Sequence, residues 1–144
     1  AVRTGGAHNH RDNLQDGVLI KDNHLAAGAA RGLSIAEVVA LARDGAPHTL
    51  RIELEVDTPD QAAEAIAAGA DIVLLDNMDP DTMRPIIESA PAGVLFEASG
   101  GVNLQTIRAI AATSVQLISV GALTHAAPSV DISLDIRSLD VRPV

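Results

Sequence analysis

Short apolar runs separated by polar, glycine- and proline-marked breaks repeat along this chain, and two periodicities alternate. Val18–Ile20 is a brief apolar run that ends in Lys21-Asp-Asn-His24. Such a run, with polar groups at its exit, reads as a buried strand delivering side chains to a site. Ser34-Ile-Ala-Glu37 then forms a capping box, and Ile35, Val38, Val39 and Ala42 follow at helical spacing until Gly45 and Pro47. From Thr49 to Val56 the period changes to two. Leu50, Ile52, Leu54 and Val56 point one way, and Arg51, Glu53 and Glu55 the other. Thr58-Pro-Asp-Gln61 starts a second helix, which Gly69 closes. Asp71–Leu75 is a nearly all-apolar strand ending in Asp76-Asn77. A third helix starts near Asp79 or Asp81, with Pro85 disturbing its first turn. Val94–Phe96 is a strand leading to Glu97-Ala-Ser-Gly-Gly101, Asn103 caps a fourth helix, and Val115–Val120 is a strand leading to Gly121-Ala-Leu-Thr-His125. The weak alternation over Val130–Ile136 fits a last strand or an edge segment.

Strand and helix alternate with short connections, which predicts an α/β fold with a parallel sheet and helices outside it. A (β/α) barrel and an open doubly wound sheet both fit this order. The polar residues separate them. Lys21, Glu55, Asp76, Glu97 with Ser99, and Gly121 fall at the C-terminal ends of successive strands. In a barrel those ends converge on one mouth, where catalysis is found. The expectation is therefore a partial TIM-like barrel, with fewer strands than a closed one.

Composition narrows the chemistry. With 144 residues, 47% hydrophobic and 20% charged, the chain is long enough for one globular domain. The formal net charge of −9 argues against nucleic acid as a partner, and Phe96 as the only aromatic residue leaves no stacking platform for bases. With no cysteine, disulfides, thiolate metal sites and cysteine nucleophiles are excluded. No apolar run is long enough to span a bilayer, so no membrane role is expected, and a cytoplasmic protein is the default.

Within this acidic chain, His8, His10 and Arg11 form a small basic cluster, which reads as a solvated loop or as an anion site. Lys21 is the only lysine, all other basic side chains being arginine or histidine. A compact ammonium at a strand end serves where a point charge is wanted rather than a planar fork. Glu55 and Asp76 would bind hydroxyls, a metal or a developing cation. Ser99-Gly100-Gly101 and Val120-Gly121-Ala122 are small loops that can present N–H groups to a phosphate, the first of them just ahead of a helix start. The composite is a site for a phosphorylated sugar and a second anion. No Ser-His-Asp arrangement is visible, and the histidines lack the helical spacing of a zinc site.

These stretches together carry a resemblance. Gly5-Gly-Ala-His-Asn-His-Arg11, Leu19-Ile-Lys-Asp-Asn-His24, Glu53-Leu-Glu-Val-Asp57, Leu74-Leu-Asp-Asn-Met78, Glu97-Ala-Ser-Gly-Gly101, Ser119-Val-Gly-Ala-Leu-Thr-His125 and Asp131-Ile-Ser-Leu-Asp135 follow one another as in the quinolinate phosphoribosyltransferase family. The chain resembles that family over essentially its whole length. The resemblance implies phosphoribosyl transfer from phosphoribosyl pyrophosphate to quinolinate with decarboxylation, giving nicotinate mononucleotide for NAD synthesis, with Mg²⁺ as cofactor. It implies that Arg11 and Lys21, with His10 beside them, bind quinolinate carboxylates. Glu55 and Asp76 would face the ribose hydroxyls, or Mg²⁺ directly or through them. Ser99, Gly100, Gly101, Val120, Gly121 and Ala122 would cradle the 5′-phosphate. Lys21, Glu55 and Asp76 are the expected catalytic residues.

Family members are longer. They carry an N-terminal α/β domain and an early strand with a Thr-Arg-Lys-Thr motif, and they share their active sites in a dimer. Residues 1–144 are therefore expected to be the C-terminal part of the barrel domain, lacking its first strands and inactive or nearly so alone. Open sheet edges would favour association. Two other readings stand beside this one: a related phosphoribosyltransferase with a different substrate, and a non-catalytic partial barrel. Retention of both Arg11 and Lys21 counts against the first.

Overall fold

The computed structural model describes residues 2–126 and 128–134. Five parallel strands, β1 (Val18–Ile20), β2 (Ile52–Val56), β3 (Ile72–Asp76), β4 (Leu95–Ser99) and β5 (Leu117–Ile118), lie in the sheet in chain order. Between and beyond them run α1 (Asp22–Ala29), α2 (Ile35–Gly45), α3 (Pro59–Ala67), α4 (Pro80–Ser89), α5 (Ile107–Ala111) and α6 (Ala122–His125). This order decides between the two architectures left open by the pattern. A doubly wound sheet reverses its strand order at a switch point. Here the order never reverses, so right-handed crossovers place successive helices on one face, as in a barrel wall. α1 packs on α2, α2 on α3 and α3 on α4.

The register sorts β2–β4 into a dry face and a polar face. Ile20, Leu54, Val73 and Phe96 lie level across four strands, and Val56, Leu75, Ala98 and Ile118 form the next tier. These side chains meet the helices, and Leu54, Val73, Leu75 and Ala98 have no accessible surface. Met83 and Ile86 of α4, Ala62 and Ala65 of α3, and Val39 of α2 close the layer. The other parity carries Leu19, Glu53, Ile72 and Leu95, then Glu55, Leu74, Glu97 and Leu117, and finally Asp76 with Ser99. This second face is the concave interior.

The expected caps form. Ser34 Oγ accepts from the Glu37 amide at 3.3 Å while Glu37 Oε2 accepts from the Ser34 amide at 2.8 Å. Gln61 closes its box one residue early, accepting from the Asp57 amide at 3.1 Å. Asp79 begins α4, its Oδ1 accepting from the amides of Asp81 and Thr82, and these bonds hold its carboxyl below the usual carboxylate range. Pro85 sits inside that helix without ending it.

Several boundaries differ from the pattern. Thr49 and Leu50 lie in a turn, with the Leu50 amide bonded to the Pro47 carbonyl, so β2 starts only at Ile52. β5 is shorter than the apolar run Val115–Val120. Ser114 has a left-handed φ of 69°, and the Gln116 side chain, rather than a backbone carbonyl, accepts from the Phe96 amide at 2.8 Å. The side-chain amide thus replaces a rung of the ladder. Asn103 winds the first turn ahead of α5, accepting from the Gln105 and Thr106 amides. Helices α1 and α6 were not evident from periodicity. Over residues 128–134 there is no strand, contrary to the alternation read there, and the end of that stretch, Asp135-Ile136, lies outside the described residues.

Candidate active site

The mouth assembles from strand ends. Lys21 directly follows β1 and stands at the N-cap of α1, its backbone amide donating to His24 Nδ1 at 2.9 Å. That bond turns the chain from strand into helix and fixes where the lysine leaves the sheet. Level with it on β2 is Glu55, and the Lys21 ammonium donates to Glu55 Oε2. Glu55 is mostly buried and Lys21 about half exposed, so the pair sits at the rim. Asp76 ends β3, level with Ser99 at the end of β4. Asp76 Oδ2 accepts from Asn77 Nδ2 at 3.0 Å.

Asn77 joins the two strand ends. Its φ is 52°, and its amide donates to the Ser99 carbonyl at 2.9 Å. Asparagine is among the few side chains that tolerate this conformation. Gly100, at φ 84°, lies so close that a Cβ there would sit 2.3 Å from Asn77 Oδ1 and 2.8 Å from the Asn77 backbone nitrogen. Gly101 is left-handed as well, at 60°. Gly100 is therefore required by the backbone, whatever the loop binds.

Deeper in the concavity lies a group that the strand-end argument did not bring together. His10 Nε2 is 3.4 Å from Glu53 Oε2 and 3.4 Å from Glu97 Oε1. Glu53 and Glu97 are 7% and 4% exposed. The Ser119 hydroxyl donates to Glu97 Oε1. Glu53 Oε1 is buried with no hydrogen-bond partner. Burial, with the Glu97 carboxylate beside it, pushes the Glu53 carboxyl up to about 7, against the opposing pull of Arg11. In the sequence Glu53 stood out as a polar letter in the alternation of β2 and as the start of a family-like stretch, without a role of its own. A carboxylate in mid-strand of a parallel sheet, which should be apolar on both faces, is the signal that marks it.

The structure divides the expected residues between two recesses. His10, Arg11, Ser99, Val120 and Gly121 line a broad groove of about 1010 Å³, together with Glu53, Glu97 and Ser119. Glu55 and Asp76 line a smaller one of about 390 Å³, walled by apolar residues of α1 and α2. Lys21, Gly100, Gly101 and Ala122 line neither. Lys21 joins the mouth through Glu55, and Gly100 through Asn77. Ala122 begins α6.

Residues 1–135 match the family described as Quinolinate phosphoribosyl transferase, C-terminal domain. The chain belongs to that family. It is 48% identical to the probable nicotinate-nucleotide pyrophosphorylase [carboxylating] of Bacillus subtilis, over 94% of this chain and 46% of that protein. The human nicotinate-nucleotide pyrophosphorylase [carboxylating] is 38% identical over 97% of this chain and 47% of its own length. Among solved structures, NadC from Streptococcus pyogenes superposes with a TM-score of 0.81 at 39% identity, covering 90% of this chain and 44% of that one. This quinolinate phosphoribosyltransferase-family chain thus spans about half the length of the relatives it matches.

Proposed function

We propose that this chain supplies the strand-end half of an active site that transfers a phosphoribosyl group to quinolinate, giving nicotinate mononucleotide, pyrophosphate and CO₂. The observation that carries the reading is the Lys21–Glu55 pair at the rim, with Asp76 on the next strand and Arg11 in the adjoining groove, in a chain of this family. Quinolinate is a dianion, and its co-substrate is more highly charged. Bringing them together requires preorganised cations. Arg11 and Lys21, with His10, are suited to the quinolinate carboxylates. Before substrate arrives Lys21 is held by Glu55, so its ammonium is already in place at the rim.

In the transfer, the ring nitrogen bonds to the anomeric carbon while the bond to pyrophosphate breaks. Positive character at that carbon is stabilised by the carboxylates of Glu55 and Asp76, which also suit ribose hydroxyls. When CO₂ departs, the electron pair stays on the ring carbon, where the adjacent pyridinium nitrogen stabilises it, and that carbon then takes a proton. For this second step the protein mainly holds the ring in place. Ser99, Gly100, Gly101, Val120, Gly121 and Ala122 offer small side chains and backbone N–H groups to the 5′-phosphate.

Mg²⁺ fits the donor set in part. Glu55 and Asp76 provide the hard oxygens it prefers, but Lys21 already holds one Glu55 oxygen, which favours contact through substrate oxygens or water. When bound, the ion would neutralise pyrophosphate charge. The same reading makes the working enzyme a cytoplasmic homodimer or larger homo-oligomer, with residues 1–144 as the C-terminal part of its barrel domain. Among the described residues no helix is long and apolar enough to cross a membrane.

The test is formation of nicotinate mononucleotide from quinolinate, phosphoribosyl pyrophosphate and Mg²⁺ by the full-length protein. Lys21→Ala should lower kcat/KM for quinolinate by about 100-fold or more, because it removes a cation and leaves Glu55 unpaired. Turnover absent in the unaltered protein would overturn the reaction. Unchanged kcat/KM in the variant would overturn the role of Lys21.

A further inference from the structure

Asn77 stands where two parts of one ligand would meet. On one side is Asp76, the carboxylate suited to ribose hydroxyls, and on the other the Ser99–Gly101 loop suited to the 5′-phosphate. Among the described residues, Asn77 and Ser114 are the non-glycine positions with a positive φ. Ser114 precedes β5, at the opposite end of the sheet from the mouth. A left-handed residue other than glycine persists where its surroundings over-determine it, and such residues gather at functional sites. Three contacts over-determine Asn77. Its backbone amide donates to the Ser99 carbonyl at 2.9 Å, just beyond the end of β3. Its Nδ2 donates to Asp76 Oδ2 at 3.0 Å, which leaves Oδ1 of that carboxylate for a ligand. Its own Oδ1 occupies the space that a Cβ at Gly100 would need. Both ends of the asparagine side chain are thus in use, one on the carboxylate and one on the glycine loop.

We propose that Asn77 is a positioning residue that holds the Asp76 carboxylate and the Ser99–Gly101 cradle at one fixed separation, so that the two together gauge a pentose bearing a 5′-phosphate. This rests on the phosphoribosyl reading above. Asp76 and Ser99 are level across β3 and β4. Strand register fixes the level of the backbone, but neither the direction of a carboxylate nor the course of the loop beyond it. Asn77 fixes both. A misplacement of ~1 Å between groups that must grip one ligand can cost ~100-fold in rate. The residue type suits the place. Aspartate tolerates the same φ but would set a second negative charge against Asp76, and glycine adopts it freely but would hold neither side.

Equilibrium binding of ribose 5-phosphate and of inorganic phosphate to the full-length protein separates the gauge from its parts. Phosphate alone needs only the cradle, whereas the sugar phosphate must reach both anchors. Asn77→Gly keeps the left-handed backbone and removes both side-chain contacts. It should weaken ribose 5-phosphate binding by at least about tenfold and change phosphate binding by less than about twofold. Unchanged affinity for ribose 5-phosphate in this variant would overturn the positioning role and leave the phosphoribosyl reading standing. Equal losses for the two ligands would also overturn it, since Asn77 would then only prop the cradle. Ribose 5-phosphate bound no more tightly than phosphate by the unaltered protein would overturn the phosphoribosyl reading, and the gauge with it. Should Asn77→Gly lose its far-UV circular dichroism, Asn77→Asp keeps the size and the tolerance of left-handed φ. Its added charge acts on the phosphate of both ligands, so the ratio of the two affinities decides. A larger loss for the sugar phosphate supports the gauge, and equal losses overturn it.

Discussion

At the scale of single residues, two positions are fixed by backbone geometry and chemistry together. Asn77 holds a left-handed φ, bonds to Asp76 through its side chain and to Ser99 through its backbone, and fills the space that a Cβ at Gly100 would need. Gly100→Ala meets backbone as well as side chain there, at a positive φ. It should destabilise the protein by about 1–3 kcal/mol, read as a lower urea midpoint at unchanged m-value. A midpoint equal to that of the unaltered protein would show that the turn can move aside. Sequence alone marked Lys21, Asp76 and the glycine pair because each is unusual for its place. It did not mark Asn77 or Ser119, whose roles depend on a neighbouring strand that no local pattern names.

Elements are joined by side chains as well as by the sheet ladder. Asp71, just ahead of β3, accepts from the Ile52 amide at 2.7 Å and from Arg43 Nη1 of α2 at 2.7 Å. Arg43 also donates to the Gly69 carbonyl. One carboxylate thus ties the start of β2 to α2 and to the loop after α3. Burial alone would raise the Asp71 pKa. The Arg43 and Ile52 hydrogen bonds and the charges of Arg43 and Arg51 outweigh it and hold the carboxyl below its ordinary 3.8. A depressed carboxyl contributes stability that is present above its unfolded pKa and is lost as pH falls through the folded one. Acid titration below about 3.8 should therefore erode stability more in the unaltered protein than in Asp71→Asn. Identical acid limbs in the two melting-temperature profiles would remove Asp71 from the account. The helices with strong caps, α2, α3 and α4, were legible as elements in the sequence. The late start of β5 was not, because the Gln116 side chain takes the place of a backbone partner there, and α6 is too short to show a period.

Over the whole molecule, sequential strand order makes the sheet a run of neighbours. β3 lies in the middle, paired on both sides, while β1 and β5 each pair on one side only among the described strands. Amide exchange should therefore be slowest in Val73–Leu75 and fastest, among strand residues, in β1 and β5. Uniform protection across the five strands would mean that the edges are covered in solution by something else. The barrel-like winding was readable because polar residues gathered at one end of each strand. The deep cluster was not, because His10 arrives from a loop far from β2 and β4 in sequence and meets Glu53 and Glu97 only inside the concavity.

The two-sided register of β2 has a consequence for how this chain can vary. Ile52, Leu54 and Val56 face the helices, while Glu53 and Glu55 face the opening. Fold and chemistry are written on alternate letters of the same five-residue word. Exchanges at Glu53 and Glu55 can retune what is bound while the scaffold survives, and exchanges at Ile52, Leu54 and Val56 can harden the scaffold while the ligand is unchanged. A single inserted or deleted residue in this strand leaves neither intact, because it turns carboxylates into the oil and aliphatics into the mouth. Such a family can drift in substrate by point substitution but has almost no tolerance for slippage here, so length polymorphism should be confined to its loops.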